Sequence, residues 1–256
     1  MNGILEYVPG NSMLHRMNPM AKFAFALIFA VACFCSQSLV FLAAMFAVGI
    51  ALALSCGMMG HVLGFMKAVL VFSLMLAVIL VLTTPGGIEL VPLPWGYIGT
   101  DGLLLGAKAI LRFEAAAIPP FLVFYVTKMS DLSNSAVKNL GVPYKYAFAF
   151  ASTIHFIPVF MNDMKGIMEA QTARGVEFDK GGIANKIRLM VPLCVPLLVS
   201  SVRKTNSAAI AAEVRGFNLR TRESGYKQYP FRAVDIAAVI IAVLLLACAI
   251  ALNVLL

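Results

Sequence analysis

KFAFALIFAVACFCSQSLVFLAAMFAVGIALALSC, residues 22–56, holds one charged side chain, Lys22, at its very start. Two apolar runs, 22–37 and 39–56, meet at Ser36-Gln37-Ser38, a connection short enough only for a tight hairpin. About 20 apolar residues of helix cross a hydrocarbon core. Working outward, the same reading gives further spans at 64–83, 102–127 and 232–256. Composition agrees: 61% of residues are hydrophobic and 12% charged, against about 25% charged in soluble domains. Mean hydropathy is +0.90. The length of 256 residues therefore bounds a number of spans rather than of soluble domains. Residues 1–21 are polar and lead into an apolar run of span length without a small-residue cleavage site, so no signal peptide is expected. The expected fold class is an all-α polytopic membrane protein with about five transmembrane helices and a cytoplasmic domain of amphipathic coupling helices. Its expected parts are a four-span membrane domain at 1–128, the cytoplasmic helices at 129–231 and a C-terminal transmembrane helix at 232–256.

Charge placement sets an expected orientation. Arg16 and Lys22 precede the first span, and the loop after that span is uncharged. His61 and Lys67 are assigned to the second connection, while the third, 84–100, has Glu89 and no Lys or Arg. From Lys128 to Arg232 the chain carries 15 of its 20 basic residues. Basic residues favour the cytoplasmic side. The N-terminus, second connection and segment 128–232 are thus expected inside, with the first and third connections and the C-terminus outside. Trp95 and Tyr97 in the outer third connection suit an interfacial aromatic belt. The net charge of +8 belongs mostly to one segment that lacks basic runs with interleaved aromatics, which speaks against nucleic acid as a partner.

That segment is too apolar for a soluble domain and too interrupted for simple spans. Ser130-Asp131-Leu132-Ser133 reads as a helix start running to Leu140 and stopped by Gly141-Val142-Pro143. A long helical stretch follows from Tyr144 through Pro158 to Arg174. In its second half Phe160, Met161, Met164, Ile167 and Met168 share an apolar face, with Asn162, Asp163, Lys165 and Glu169 opposite. Asp179-Lys180-Gly181-Gly182 turns the chain into a stretch from Ile183 to Val214 that Pro192 and Pro196 are expected to kink. Amphipathic helices so placed lie on the membrane surface or against partner proteins.

Both long stretches end alike, in Ala173-Arg174-Gly175 and, 41 positions later, in Val214-Arg215-Gly216. A Gly just past a helix adopts the left-handed conformation that closes the last turn, and an Arg beside it complements the negative helix end. One such end is ordinary. Two in a chain of this composition place permanently charged, fork-shaped donors at two helix tips.

Over nearly its whole length the chain resembles the transmembrane (T) component of energy-coupling factor (ECF) transporters, the EcfT/CbiQ family, whose members import vitamins and transition-metal ions. The resemblance rests on Leu14-His15-Arg16-Met17-Asn18-Pro19-Met20-Ala21-Lys22, on Leu132 with Leu140-Gly141-Val142-Pro143, and on the two Arg-Gly helix ends. In that family an Ala-Arg-Gly motif ends each of two coupling helices that seat in grooves of two ATPase subunits. Ala173, Arg174 and Gly175 match it fully; Val214 departs from it, while Arg215 and Gly216 keep the donor and the cap. The resemblance implies a bacterial or archaeal cell membrane, two ABC-type ATPase subunits that hold ATP and Mg, and one substrate-binding membrane subunit, the S component. The kinks at Pro192 and Pro196 are candidate flex points for the coupling motion.

This chain itself shows no phosphate-cradling Gly-rich loop with Lys-Ser/Thr, so it is not expected to be its own ATPase. His15, His61 and His155 are far apart, no Cys-x-x-Cys occurs, and the five cysteines read as small apolar packing residues, so neither a metal site nor a cofactor is expected. Glu114-Ala115-Ala116 resembles the cytoplasmic loop of classical ABC permeases but lies inside the fourth span without the following Gly. Arg112, in that same span, is an intramembrane charge expected to pair with backbone carbonyls or a polar group of another span. An intramembrane enzyme would show paired acids, a His-Glu helix or a Ser-Lys pair, and none is visible. The remaining alternative is a self-sufficient secondary transporter, whose inverted repeats and broken spans fit five spans poorly.

Overall fold

A computed structural model describes residues 8–10, 12–93, 96–178, 182–221, 224 and 227–255. In chain order the elements are α1 (Met13–Arg16), α2 (Pro19–Cys35), α3 (Leu39–Ser55), α4 (Met59–Thr83), β1 (Glu89–Leu93), β2 (Gly96–Gly99), α5 (Thr100–Val126), α6 (Met129–Leu140), α7 (Tyr144–Ala173), α8 (Ile183–Met190), α9 (Cys194–Val214) and α10 (Ala233–Leu255). The chain is an all-α membrane protein with one small addition. The third connection, expected as a loop, folds into an antiparallel hairpin that pairs Glu89 with Gly99 and Leu93 with Gly96. Tyr97 stands opposite Pro92 in that hairpin, and Trp95 lies outside the described residues.

Two compact units make up the chain: residues 1–135 with 229–256, and residues 136–228. In the first unit α4, α5 and α10 are long and apolar enough to cross a membrane. Helices α2 and α3 are apolar but have 17 residues each, about 25 Å of helix, at the short end of what spans a bilayer. α4 begins earlier than residue 64, so His61 and Lys67 ride on the helix rather than in the connection before it. The exposed Lys67 can lay its stem along the helix and keep its ammonium near the interface.

Helices α4 and α5 approach closely at two glycines. A Cβ on Gly102 would stand 2.9 Å from the Thr84 carbonyl oxygen, and one on Gly106 3.0 Å from Val81 Cγ2. Helix α10 packs on α2 through Ala242 and Ala249 against Phe25, Phe29, Ala32 and Cys33. Asp235 meets Asn18 at one end of this pair, and Asn253 meets Cys35 and Gln37 at the other, so α2 and α10 run parallel.

In the second unit α7 is a single 30-residue helix through Pro158. The stretch 183–214 changes helix type at its first proline, with Met190, Val191, Leu193 and Cys194 keeping right-handed helical angles. Pro192 sits in a 3-10 turn, Val191–Leu193, between α8 and α9. Pro196 is the third residue of α9, in the first turn, where a missing N–H leaves no bond unmade. The buried Leu193 anchors this joint. Of the turn expected at 179–182, residues 179–181 lie outside the described residues and Gly182 is the N-cap of α8.

Candidate coupling site: two arginine-tipped helix ends

Both helix ends close as the Arg-Gly pairs require. Gly175 has φ +92° and Gly216 φ +74°, conformations that an L side chain rarely adopts. After α7 the Gly175 N–H donates to the Thr172 carbonyl at 2.9 Å and the Val176 N–H to the Gln171 carbonyl at 3.1 Å. These are the two bonds of the Schellman cap. After α9 the Gly216 N–H donates to the Glu213 carbonyl at 2.9 Å. No atom lies within 4 Å of a Cβ placed on Gly175, so the backbone angle alone demands glycine there. Each cap stops its helix abruptly and leaves the preceding Arg at the rim. Ala173, Arg174, Val214 and Arg215 are all exposed, and neither guanidinium has a hydrogen-bond or ion-pair partner among the described residues.

The two tips face away from each other. Lys204 Nζ on α9 contacts Asp163 Oδ1 at 2.7 Å and Oδ2 at 2.6 Å, and Ser200 Oγ donates to Asp163 Oδ2 at 3.0 Å. Just past the end of α9, Phe217 lies 4.9 Å from the Phe148 ring and 5.5 Å from that of Tyr144, ring centroid to centroid. Rising numbers on α9 therefore meet falling numbers on α7, so the helices are antiparallel. Arg174 follows Asp163 by 11 residues and Arg215 follows Lys204 by 11. At about 1.5 Å per residue this sets the tips on the order of 30 Å apart, at opposite ends of the pair.

The crossing corrects one expectation. Asp163, assigned to the polar outer face of α7, is turned onto α9, where the bonds from Lys204 and then Ser200 hold its carboxyl below the usual carboxylate range. The Arg215 tip is braced in turn. Arg220 lies 4.3 Å over the Tyr144 ring and donates to its hydroxyl at 2.5 Å.

Arg112 is brought to the turn between α2 and α3, where its Nη2 donates to the Ser36 carbonyl at 2.7 Å. Glu114, two residues on, is buried, and among the described residues neither carboxyl oxygen has a hydrogen-bond partner. The sequence reading missed two polar clusters. At the turn, Asn253 accepts from the Gln37 N–H at 2.9 Å and donates to the Cys35 carbonyl. At the other end of α2, Asn18 and Asp235 lie at the centre of a second cluster. Asn18-Pro19, an N-cap followed by proline, was a usable local signal for half of it. Among the described residues no three His, Cys, Asp or Glu side chains are placed to hold a metal ion.

Residues 10–226 match the CbiQ family, described as cobalt transport protein. The energy-coupling factor transporter transmembrane protein EcfT of Listeria innocua serovar 6a is 34% identical over 222 residues, 83% of this chain and 83% of the relative. The protein of the same name from Acidaminococcus fermentans is 30% identical over 223 residues, 82% of this chain and 81% of the relative. That from Lactococcus lactis subsp. cremoris is 28% identical over 252 residues, 94% and 95% of the two chains.

Proposed function

Because this chain belongs to the CbiQ/EcfT family of energy-coupling factor transporter transmembrane components, we propose that it is the non-catalytic scaffold coupling ATP hydrolysis to uptake. In this reading two ABC-type ATPase subunits bind ATP and Mg, and Arg174 and Arg215 each dock into one of them. The observation that carries it is the pair of exposed guanidiniums, without a partner among the described residues, at opposite ends of one antiparallel helix pair. An Arg fork makes bidentate contacts with carboxylates and keeps its charge when desolvated. Tips on the order of 30 Å apart, by helix rise, suit two docking subunits better than one. When the ATPases close on ATP, the helices carrying both tips move as rigid bodies. The 3-10 turn at Pro192, with Pro196 just after it, is the flex point of this motion.

The cargo, a vitamin or a transition-metal ion, is held by a separate membrane subunit. Ile187, Val191, Val195, Leu198 and Val202 line one exposed apolar stripe along α8 and α9, which fits such a membrane partner. Affinity purification of the full chain from its native membrane is expected to recover two ATPase copies per chain and one small polytopic membrane protein. Recovery of a transport-competent homo-oligomer without ATPase would overturn the reading.

The orientation belongs to the same proposal: a bacterial or archaeal cell membrane, N-terminus and residues 136–228 cytoplasmic, C-terminus outside. The 15 basic residues from 128 to 232 support it, as does the parallel course of α2 and α10. A cysteine probe for the outer hairpin belongs at the exposed Ile88 rather than at Gly87, where a Cβ would stand 2.1 Å from Thr100 Oγ1. Ile88→Cys is expected to react with an impermeant maleimide in intact cells, and Lys180→Cys only after permeabilisation. Labelling of Lys180→Cys in intact cells would reverse the orientation.

A further inference from the structure

The chain leaves the membrane unit after Ser135 and returns to it at Tyr229, and one side chain touches both points. Ser135 Oγ donates to Asn18 Oδ1 at 3.1 Å, and Asn18 Nδ2 donates to the Tyr229 carbonyl at 2.9 Å. The same Oδ1 accepts from the Met20 N–H at 3.0 Å and so caps α2. The Asn18 N–H donates to Asp235 Oδ1 at 2.9 Å, and Asp235 Oδ2 accepts from the Arg232 N–H at 2.8 Å, starting α10. Exit and return are also bonded directly, Tyr229 OH to Asp131 Oδ1 at 3.0 Å. Burial, and after it the Asp131 carboxylate, hold that hydroxyl protonated up to about 12, so the bond persists through the physiological range. Asp235 is 1% exposed and Lys22 3%, with Asp131 and Asp235 as the opposite charges acting on Lys22. A flexible linkage would leave these two crossings solvated and slack. Here buried, charge-assisted bonds fasten both to the first turns of α2 and α10, and a satisfied buried network of this kind is rigid.

We propose that Asn18, with Asp235, is a positioning residue for transport: it makes the two chain crossings into a stiff joint through which movement of residues 136–228 reaches α2 and α10. The proposal rests on the coupling function above. A stiff joint transmits displacement, whereas two loose tethers would absorb it, and the physical warrant is an element whose arrangement both ends bias.

The test uses the complete complex with its ATPases in proteoliposomes, carrying nitroxide pairs read by pulsed electron resonance with and without Mg-ATP and vanadate. Lys165 with Asn206 reports movement within the coupling unit; Val40 with Val254, both exposed on the membrane unit, reports movement there. With Asn18 intact both distances are expected to shift with nucleotide. With Asn18→Ala the first shift is expected to remain and the second to be lost, while the ATPases still co-purify. Where Asn18→Ala is not recovered from membranes, Tyr229→Phe and Ser135→Ala each remove one hydroxyl from the cluster and are expected to shrink the second shift alone. A full Val40–Val254 response in these variants, or its absence in the unaltered complex while the Lys165–Asn206 pair moves, overturns the joint. Failure of the unaltered chain to bring down ATPases overturns the coupling function instead.

Discussion

Replacing Arg174 and Arg215 together with alanine is expected to abolish co-purification of the ATPases and ATP-driven uptake while leaving the protein in the membrane. Neither substitution touches what ends the helices. The left-handed Gly175 and Gly216 and their cap bonds remain, and neither guanidinium has an internal partner among the described residues to lose. The whole cost therefore falls on docking. Truncating one member of a desolvated, charge-assisted pair costs about 2–5 kcal/mol, and each 1.4 kcal/mol is about a factor of ten in affinity. The tips stand at opposite ends of the α7–α9 pair, so their docking contributions add. A single Arg→Ala change should weaken association partly yet cut uptake severely, because transport needs both ATPases to move the membrane part. Arg→Lys should rescue poorly, since a point charge lacks the planar fork. Arg203, exposed on α9 away from either tip, is the control, and Arg203→Ala should be mild. A double variant that still brings down the ATPases and imports at the normal rate would reduce both tips to ordinary capped helices.

What could be read in advance follows from where the information sits along the chain. Span positions and the two caps depend on neighbours within one or two helical turns, so apolar runs and Arg-Gly pairs predict them directly. Asp163 was misassigned because helical periodicity divides a helix into faces without saying which polar residue meets a second helix; its partners lie 37 and 41 residues away. The polar clusters lie further beyond reach, with Arg112 bonding Ser36 across 76 positions and Asn18 bonding Asp235 across 217. The hairpin at 89–99 was hidden for another reason. Its strands are short and contain Pro92 and two glycines, Gly96 and Gly99, which read as loop until backbone pairing is seen.

Arg112→Leu is expected to lower stability and membrane yield sharply, and to do so through the α2–α3 turn. Arg112 stands twelve residues into α5, about 18 Å of helix beyond its start. Exposed Leu103 and Leu104 on that first stretch of α5, with Ile79 and Leu82 on α4, form an apolar surface that belongs in lipid. The turn held by Arg112 lies beside that surface, and Ser36 is itself buried, so no water satisfies its carbonyl once left open. The Nη2 bond to Ser36 and the two Asn253 bonds close that turn. A hydrogen bond from a charged donor is worth about 1.5–3 kcal/mol, and the carbonyl left behind adds its own desolvation cost. The leucine variant should thus lose more than Asn253→Leu, and the double variant less than the sum, since both side chains serve one turn. Arg112→Lys should recover part of the loss, its ammonium being shorter and unforked. Thermal unfolding in detergent measures these losses, and ATPase recovery per folded chain should stay constant across the series. Unfolding unchanged by Arg112→Leu, with uptake gone, would move Arg112 from holding the turn to serving transport.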